Sequence, residues 1–211
     1  GAPTGTFVGQ KIGQLRSDLI ALQGQVQAQN NELAQVRTET VQTTDSYHAA
    51  VAGINSRLQA GTTPGNPELI QQWNQAQAQL DRLSADIARM NNLSTAAAAS
   101  SAQASYIRES VRSAFTLSGA IEEDHRQLAV LEDDVNRTVV EVDRLLFDIS
   151  QDINRQTLYL SGEQRNMMAL SLAIKNGEMY GASLGNRAVT PLTPGSPQAN
   201  AVAGQRPLVV I

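Results

Sequence analysis

Apolar residues recur alternately three and four positions apart along the first part of the chain. From Ile12 the spacing keeps one phase for about six heptads, which is typical of a helix that buries one seam against a partner helix. Polar residues such as Gln29 and Thr40 occupy some seam positions and restrict the registers that the helix tolerates. The pattern predicts a coiled-coil helix over residues 9–60, preceded by a small-residue linker at 1–8.

Proline and glycine mark the first break in this pattern. Residues 61–67 contain two prolines and two glycines, which predicts a turn, and Asn66 suits the cap of a following helix. The same apolar spacing then predicts a second helix over 68–118 and a third over 119–181. The third helix ends either at an Asn176–Gly177 cap or near Gly181. Since the single Gly119 weakens a helix by only about 1 kcal/mol, the second and third could also form one rod of roughly 100 residues.

The apolar stripes supply the candidate packing residues. Heptad helices joined by short turns bury their seams on each other, so we expect an all-α fold: a long antiparallel helical hairpin or coiled coil of about three helical segments. The stripe residues would serve helix packing within the chain or oligomerisation between chains. They are Ile12, Leu15, Leu19, Leu22, Val26, Leu33, Val36, Leu80, Leu83, Ile87, Leu128, Leu131, Val135, Val142 and Ile149.

The C-terminal segment changes composition twice. Residues 182–206 are rich in Pro, Gly and Ala, which predicts an extended linker. Residues 207–211 read Pro-Leu-Val-Val-Ile, which predicts the start of a strand that is too short to be stable alone. It would be either the first strand of a further domain or a tail that adds to the sheet edge of a partner.

Charge and composition exclude several classes of partner. The formal net charge is −4 and the basic residues are scattered, whereas nucleic-acid binding needs clustered Lys and Arg. No apolar run approaches the ~20 residues that span a bilayer. The chain has no Cys, so disulfides, thiolate nucleophiles and Cys-ligated zinc are excluded. We expect no nucleic-acid partner and no membrane span in this chain.

No residue pattern predicts catalysis. The acidic residues of 122–125 suit a first helical turn, where they complement the helix dipole, and Asp148 and Asp152 are expected to be solvated charges. Aromatic residues at helical spacing, Tyr106 and Phe147 among them, are expected in the core, with the lining of a ligand groove as the alternative. Phosphate loops, nucleophile elbows and dinucleotide fingerprints are absent from the sequence. We therefore expect no enzyme, no catalytic or metal-binding residue and no cofactor.

The layout of the whole chain resembles that of certain bacterial envelope proteins. The small-residue start, the Gln- and Ala-rich heptads, the Pro-rich linker and the Leu208–Ile211 end are similar to periplasmic coiled-coil proteins of Gram-negative, alphaproteobacteria-like bacteria. In such proteins an anchored helical stalk precedes a small C-terminal domain. The resemblance implies a periplasmic or cell-envelope location, with an extracellular location as the alternative.

These observations lead to three functional expectations. The first is a structural scaffold or spacer that self-assembles as a homo-oligomer, in closed form or as a filament. The second is an adaptor that binds a transport or secretion component of the envelope through its helices or its tail. The third is the stalk of a larger protein whose active domain lies beyond residue 211.

Overall fold

The computed structural model describes residues 4–179, and its regular structure is entirely helical over that range. Three long helices follow one another: α1 spans Phe7–Ala60, α2 spans Pro67–Ala114 and α3 spans Glu122–Asn176. The described part of the chain contains no strand, so its fold is all-α. The predicted linker at 182–206 and the predicted strand at 207–211 lie outside the described residues.

Polar caps set the beginnings of α1 and α2. The hydroxyl of Thr6 accepts a hydrogen bond of 2.8 Å from the backbone N–H of Gly9, so α1 begins at Phe7 rather than at residue 9. Asn66 accepts 2.9 Å from the backbone N–H of Glu68, and Pro67 occupies the first helical position, where its missing N–H is not needed.

The connection between α2 and α3 begins earlier than the sequence predicts. The predicted second helix ran to residue 118 and the third began at 119, or the two formed one rod. Instead, α2 ends at Ala114, and the N–H groups of Phe115, Thr116 and Leu117 each bond to the carbonyl three residues back, which tightens the chain into a turn. Gly119 then takes a positive φ of 87° and the chain reverses, which rules out the rod.

The end of α3 lies against the loop between α1 and α2. Gly177 adopts the left-handed conformation that caps α3, so the helix ends at the predicted Asn176–Gly177 cap and not near Gly181. Its carbonyl accepts 3.0 Å from the N–H of Thr62, and the carbonyl of Ile174 accepts 2.9 Å from the N–H of Gly65. Two backbone hydrogen bonds therefore hold this end of α3 to the loop.

Side-chain contacts give the direction of each helix. Early residues of α1 meet late residues of α2, as in the Gln29–Ser100 hydrogen bond of 3.0 Å, so these two helices run antiparallel. The Nε1 of Trp73 in α2 donates 3.0 Å to the carbonyl of Met167 in α3, whereas Arg112 pairs with Glu132. The third helix is therefore antiparallel to α2 as well.

Buried apolar residues form two clusters along the helices. The first cluster includes Val8 to Val36 of α1 with the facing parts of α2 and α3, and the second includes Tyr47 to Leu58 with the opposite ends of the other helices. Side chains with charged groups occupy the level between the clusters. Other polar side chains are buried away from this level, namely Ser100, Asp124, Gln127 and Thr138.

Candidate functional site

The candidate packing residues are buried against helices of their own chain. Twelve of them belong to the first cluster: Ile12, Leu15, Leu19, Leu22, Val26, Leu33, Val36, Leu128, Leu131, Val135, Val142 and Ile149. Leu80 belongs to the second cluster, Leu83 is buried, and Ile87 is partly buried against the first cluster. Because the chain itself covers these side chains, a second copy could reach them only if the helices separated.

The polar layer between the two clusters brings together side chains from all three helices at one level. Two of its carboxylates, those of Asp86 and Asp152, are buried with only 7% and 3% of each residue exposed. The layer consists of Arg37, Glu39 and Thr40 from α1, Asp86 and Arg89 from α2, and Asp152 and Arg155 from α3.

Asp152 is neutralised by two arginines. The Nε of Arg37 donates 2.5 Å to one carboxylate oxygen, and Arg155 donates to the other. The Arg37 pair joins α1 to α3, whereas Arg155 lies one turn further along α3. Both carboxylate oxygens are therefore bonded to cations, which offsets the cost of removing the carboxylate from water.

The burial of the Asp86 carboxylate is less well compensated by hydrogen bonds and cations. The hydroxyl of Thr40 donates to it at 3.4 Å, and the guanidinium of Arg89 is 3.8 Å away because Arg89 also bonds to Glu39. Burial raises the pKa of Asp86 and the charge of Glu39 raises it further, against the opposing effects of Arg89 and Thr40. In contrast, hydrogen bonds from Gln35 and then Arg89 lower the pKa of Glu39.

Shallow grooves flank the polar layer on both sides. A groove of about 530 Å³ lies beside Asp86 and is lined by residues of α1 and α2 such as Gln42 and Arg82. A smaller one of about 240 Å³ lies beside Asp152. The acids beside these grooves are bonded to neighbouring side chains. A layer of this kind can specify the register of the helices, a role that buried polar groups perform in some other helical proteins.

The acidic cluster at the start of α3 acts as a cap. Asp124 is fully buried and accepts hydrogen bonds from the hydroxyls of Thr4 at 2.5 Å and Thr6 at 2.8 Å, and from the backbone N–H of Ile121 at 3.1 Å. The bond from Thr4 is the main reason that the pKa of Asp124 is lowered. This carboxylate fastens the starts of α1 and α3 to each other.

Tyr47, His48 and Tyr159 also have structural partners. The hydroxyl of Tyr47 donates 2.7 Å to Glu163, and burial followed by this contact raises the pKa of Tyr47. The ring nitrogen of His48 lies 3.0 Å from the hydroxyl of Tyr159, whose pKa burial raises to about 12. Within residues 4–179 no group of three or more His, Asp or Glu side chains is placed to hold a metal ion.

The sequence marks the polar layer by placing carboxylates at seam positions of α2 and α3. Asp152 was predicted to be solvated, but it lies three residues after Ile149 and shares the buried face of α3. Asp86 likewise lies between Leu83 and Met90 in the spacing of the α2 stripe. A carboxylate at a seam position therefore indicated burial, although the spacing alone could not identify the arginines that would meet it.

Two aromatic residues that were predicted to be buried are exposed in the structure. Phe147 and Tyr106 were expected in the core, but each exposes more than half of its surface. Both are on helix faces turned away from the buried stripes. These exposed side chains are the part of the surface that the sequence analysis missed.

Comparison with known proteins gives no relative. No protein-family model matches the chain, and neither the curated proteins nor the solved structures contain a match. Among residues 4–179, no helix has the length and apolar character needed to cross a membrane.

Proposed function

We propose that this chain is a structural protein, a rigid helical spacer or scaffold that self-associates in the cell envelope of a bacterium. The observation that carries the proposal is the interior, in which two apolar clusters and one polar layer run along helices of 54, 48 and 55 residues. At ~1.5 Å per residue, each helix is about 70–80 Å long. Side chains that are packed between the helices along their whole length resist bending of each helix.

The contacts at the two ends support the spacer function. Asp124 ties α3 to the residues before α1 at one end, and Gly177 ties α3 to the α1–α2 loop at the other. With the Arg37–Asp152 pair between them, α3 is fixed at both ends and in the middle. The coiled-coil packing expected from the heptads would stiffen the helices further.

The envelope location rests on the chain layout. The Gln- and Ala-rich heptads followed by a Pro-rich segment and a β-branched end resemble periplasmic stalk proteins. In that setting the helices would keep envelope components at a fixed separation. A larger protein with the same stalk and an active domain beyond residue 211 would use the helices in the same way.

A distance measurement within α1 tests the spacer. Because the chain has no Cys, spin labels can be attached at Ser17→Cys and Ser56→Cys, two exposed positions of α1. Pulsed dipolar spectroscopy, with labelled protein diluted into unlabelled protein, should give one narrow distribution near ~60 Å. A broad distribution, or one centred well below that distance, would contradict a rigid spacer. The same pair in denaturant gives the reference for a flexible chain.

An open apolar groove favours the adaptor as a second candidate function. The groove has a volume of about 500 Å³ and includes exposed Phe7, Tyr106 and Leu117 beside Lys11 and Glu109. A partner helix with an apolar face could lie in it. Affinity purification from the envelope of the source organism separates the candidates: a stoichiometric partner lost in a Tyr106→Glu variant supports the adaptor, and recovery of this chain alone supports the scaffold.

A further inference from the structure

The outer face of α3 carries a second apolar stripe. Five large apolar residues are exposed there, and four of them expose more than 60% of their surface. On a helix face that is turned to solvent, exposed apolar side chains normally occur singly. The outer stripe consists of Val140 (67%), Phe147 (62%), Leu158 (75%), Met168 (71%) and Leu172 (41%).

The outer stripe lies opposite the buried face of its own helix. At 100° per residue, Val140, Phe147 and Leu158 fall within about 20° of one another around α3. Leu172 lies about 40° from Leu158, and Met168 lies about 80° from it, at the edge of the outer stripe. The buried side chains, such as Ile149, fall on the other side of the helix. No helix of the same three-helix unit can therefore cover the outer stripe.

We propose that the outer stripe is the surface through which two copies of this chain pair, with α3 packed antiparallel on α3 about a twofold axis. The proposal rests on the self-associating scaffold proposed above and names its contact surface. A register in which Val140 meets Leu172 of the second copy places Leu158 beside the axis. The same patch then serves both copies, as a twofold interface requires.

The exposed area is sufficient for a dimer. Each of the five side chains exposes on the order of 100 Å², so two facing stripes bury about 1,000 Å² in total before the polar rim is counted. That total is at the lower bound for a specific interface. The contact would be reversible, since it uses one helix face rather than a complete core.

The charge distribution selects the antiparallel orientation. Residues 132–148 contain six acidic side chains and two arginines, whereas residues 155–175 contain three basic side chains and one acid. Antiparallel pairing places the acidic half of one α3 against the basic half of the other, and parallel pairing would place acid against acid. In the proposed register, Arg165 of one copy lies one turn from Asp143 of the other. Neither residue has an ion-pair partner within the described residues.

Surface substitutions on the full chain test the interface. Phe147→Arg places a cation opposite Arg165 of the second copy, so the dimer dissociation constant measured by sedimentation equilibrium should rise about 100-fold or more. Val130→Arg is the matched control, because Val130 is on α3 and 56% exposed but lies about a quarter turn from the outer stripe. It should change the constant less than about threefold. Unchanged far-UV circular dichroism shows that both variants remain folded.

A charge exchange tests the orientation. Asp143→Arg alone should weaken the dimer about tenfold, and combining it with Arg165→Asp should restore the constant to within about threefold of wild type. Failure of the double variant to recover would overturn the antiparallel register. A wild-type dimer insensitive to Phe147→Arg would overturn this surface but leave self-association intact, whereas a wild-type monomer at about 100 µM would overturn both. The spin-label distance within α1 tests the spacer separately from each of these outcomes.

Discussion

Asp86 and Asp152 show how two buried carboxylates at one level of the helices can differ. Asp152 accepts hydrogen bonds from two arginines, whereas Asp86 has a long bond from Thr40 and shares Arg89 with Glu39. Desolvation of a carboxylate is offset only by well-placed partners. The charge of Asp86 should therefore oppose folding, and the pair between Asp152 and Arg37 should favour it.

Replacement of Asp86 by Asn should stabilise the protein at neutral pH. Because the folded-state pKa of Asp86 is raised, its ionisation lowers stability at pH values above that pKa. The neutral amide removes this effect, and we expect a gain on the order of 1 kcal/mol at pH 7. The gain should shrink as the pH falls through the raised pKa towards the ordinary value of 3.8, where wild-type Asp86 also becomes neutral. Urea unfolding at several pH values measures the difference, and a gain that grows on acidification would contradict the sign.

Replacement of Arg37 by Ala should have the opposite effect. It leaves the buried Asp152 with Arg155 alone, and we expect a loss of about 1–2 kcal/mol in the free energy of unfolding at pH 7. Arg137→Ala is the control, because its pair with Asp133 is exposed on both sides and should contribute less than about 0.5 kcal/mol. If both variants lost the same free energy of unfolding, the buried Arg37–Asp152 pair would contribute no more to stability than an exposed pair.

At the scale of elements, α3 is held by its contact with the α1–α2 loop. A Cβ atom at Gly177 would lie 2.4 Å from the carbonyl oxygen of Thr62 and 2.9 Å from the nitrogen of Pro64, closer than non-bonded atoms approach. The backbone there also has a φ of 78°, which favours glycine. Gly177 is therefore required for the left-handed cap and for the close approach of the loop.

A pair of glycine substitutions separates these two requirements. Gly119, in the turn between α2 and α3, also has a positive φ of 87°, but nothing lies within 4 Å of its added Cβ. Gly119→Ala should cost about 1 kcal/mol from backbone strain, and Gly177→Ala should cost about 1–3 kcal/mol more because the loop must move. Thermal unfolding followed by circular dichroism compares the two variants. Equal shifts in Tm would mean that the loop does not press on the end of α3.

The sequence predicted the helices better than their ends. The prolines of residues 61–67 interrupt any helix, so the first turn was evident from composition. The second turn starts at Phe115, before any glycine or proline, because hydrogen bonds three residues apart replace those of the α-helix. Such a turn depends on the packing of the helices on either side, which local composition does not encode.

At the scale of the whole chain, the apolar residues form two kinds of surface, the buried seams between the helices and the exposed outer stripe of α3. The seam of Ile12 to Val36 and its counterparts on α2 and α3 are buried within one chain, although their spacing was equally compatible with an interface between chains. Periodicity predicts that a face is buried but not which helix covers it. The outer stripe around Phe147 was not recognised, because exposed and buried stripes on one helix have the same spacing.

The most direct test of this account is the helical content of the wild-type chain on dilution, measured by far-UV circular dichroism from about 50 µM to about 0.1 µM. Because the seams are buried by helices of the same chain, the signal per residue should stay constant over the whole range, even as pairs of chains separate. A signal that falls as the protein is diluted would mean that the seams are completed by other copies, and would contradict the internal packing on which the spacer and the outer stripe both depend.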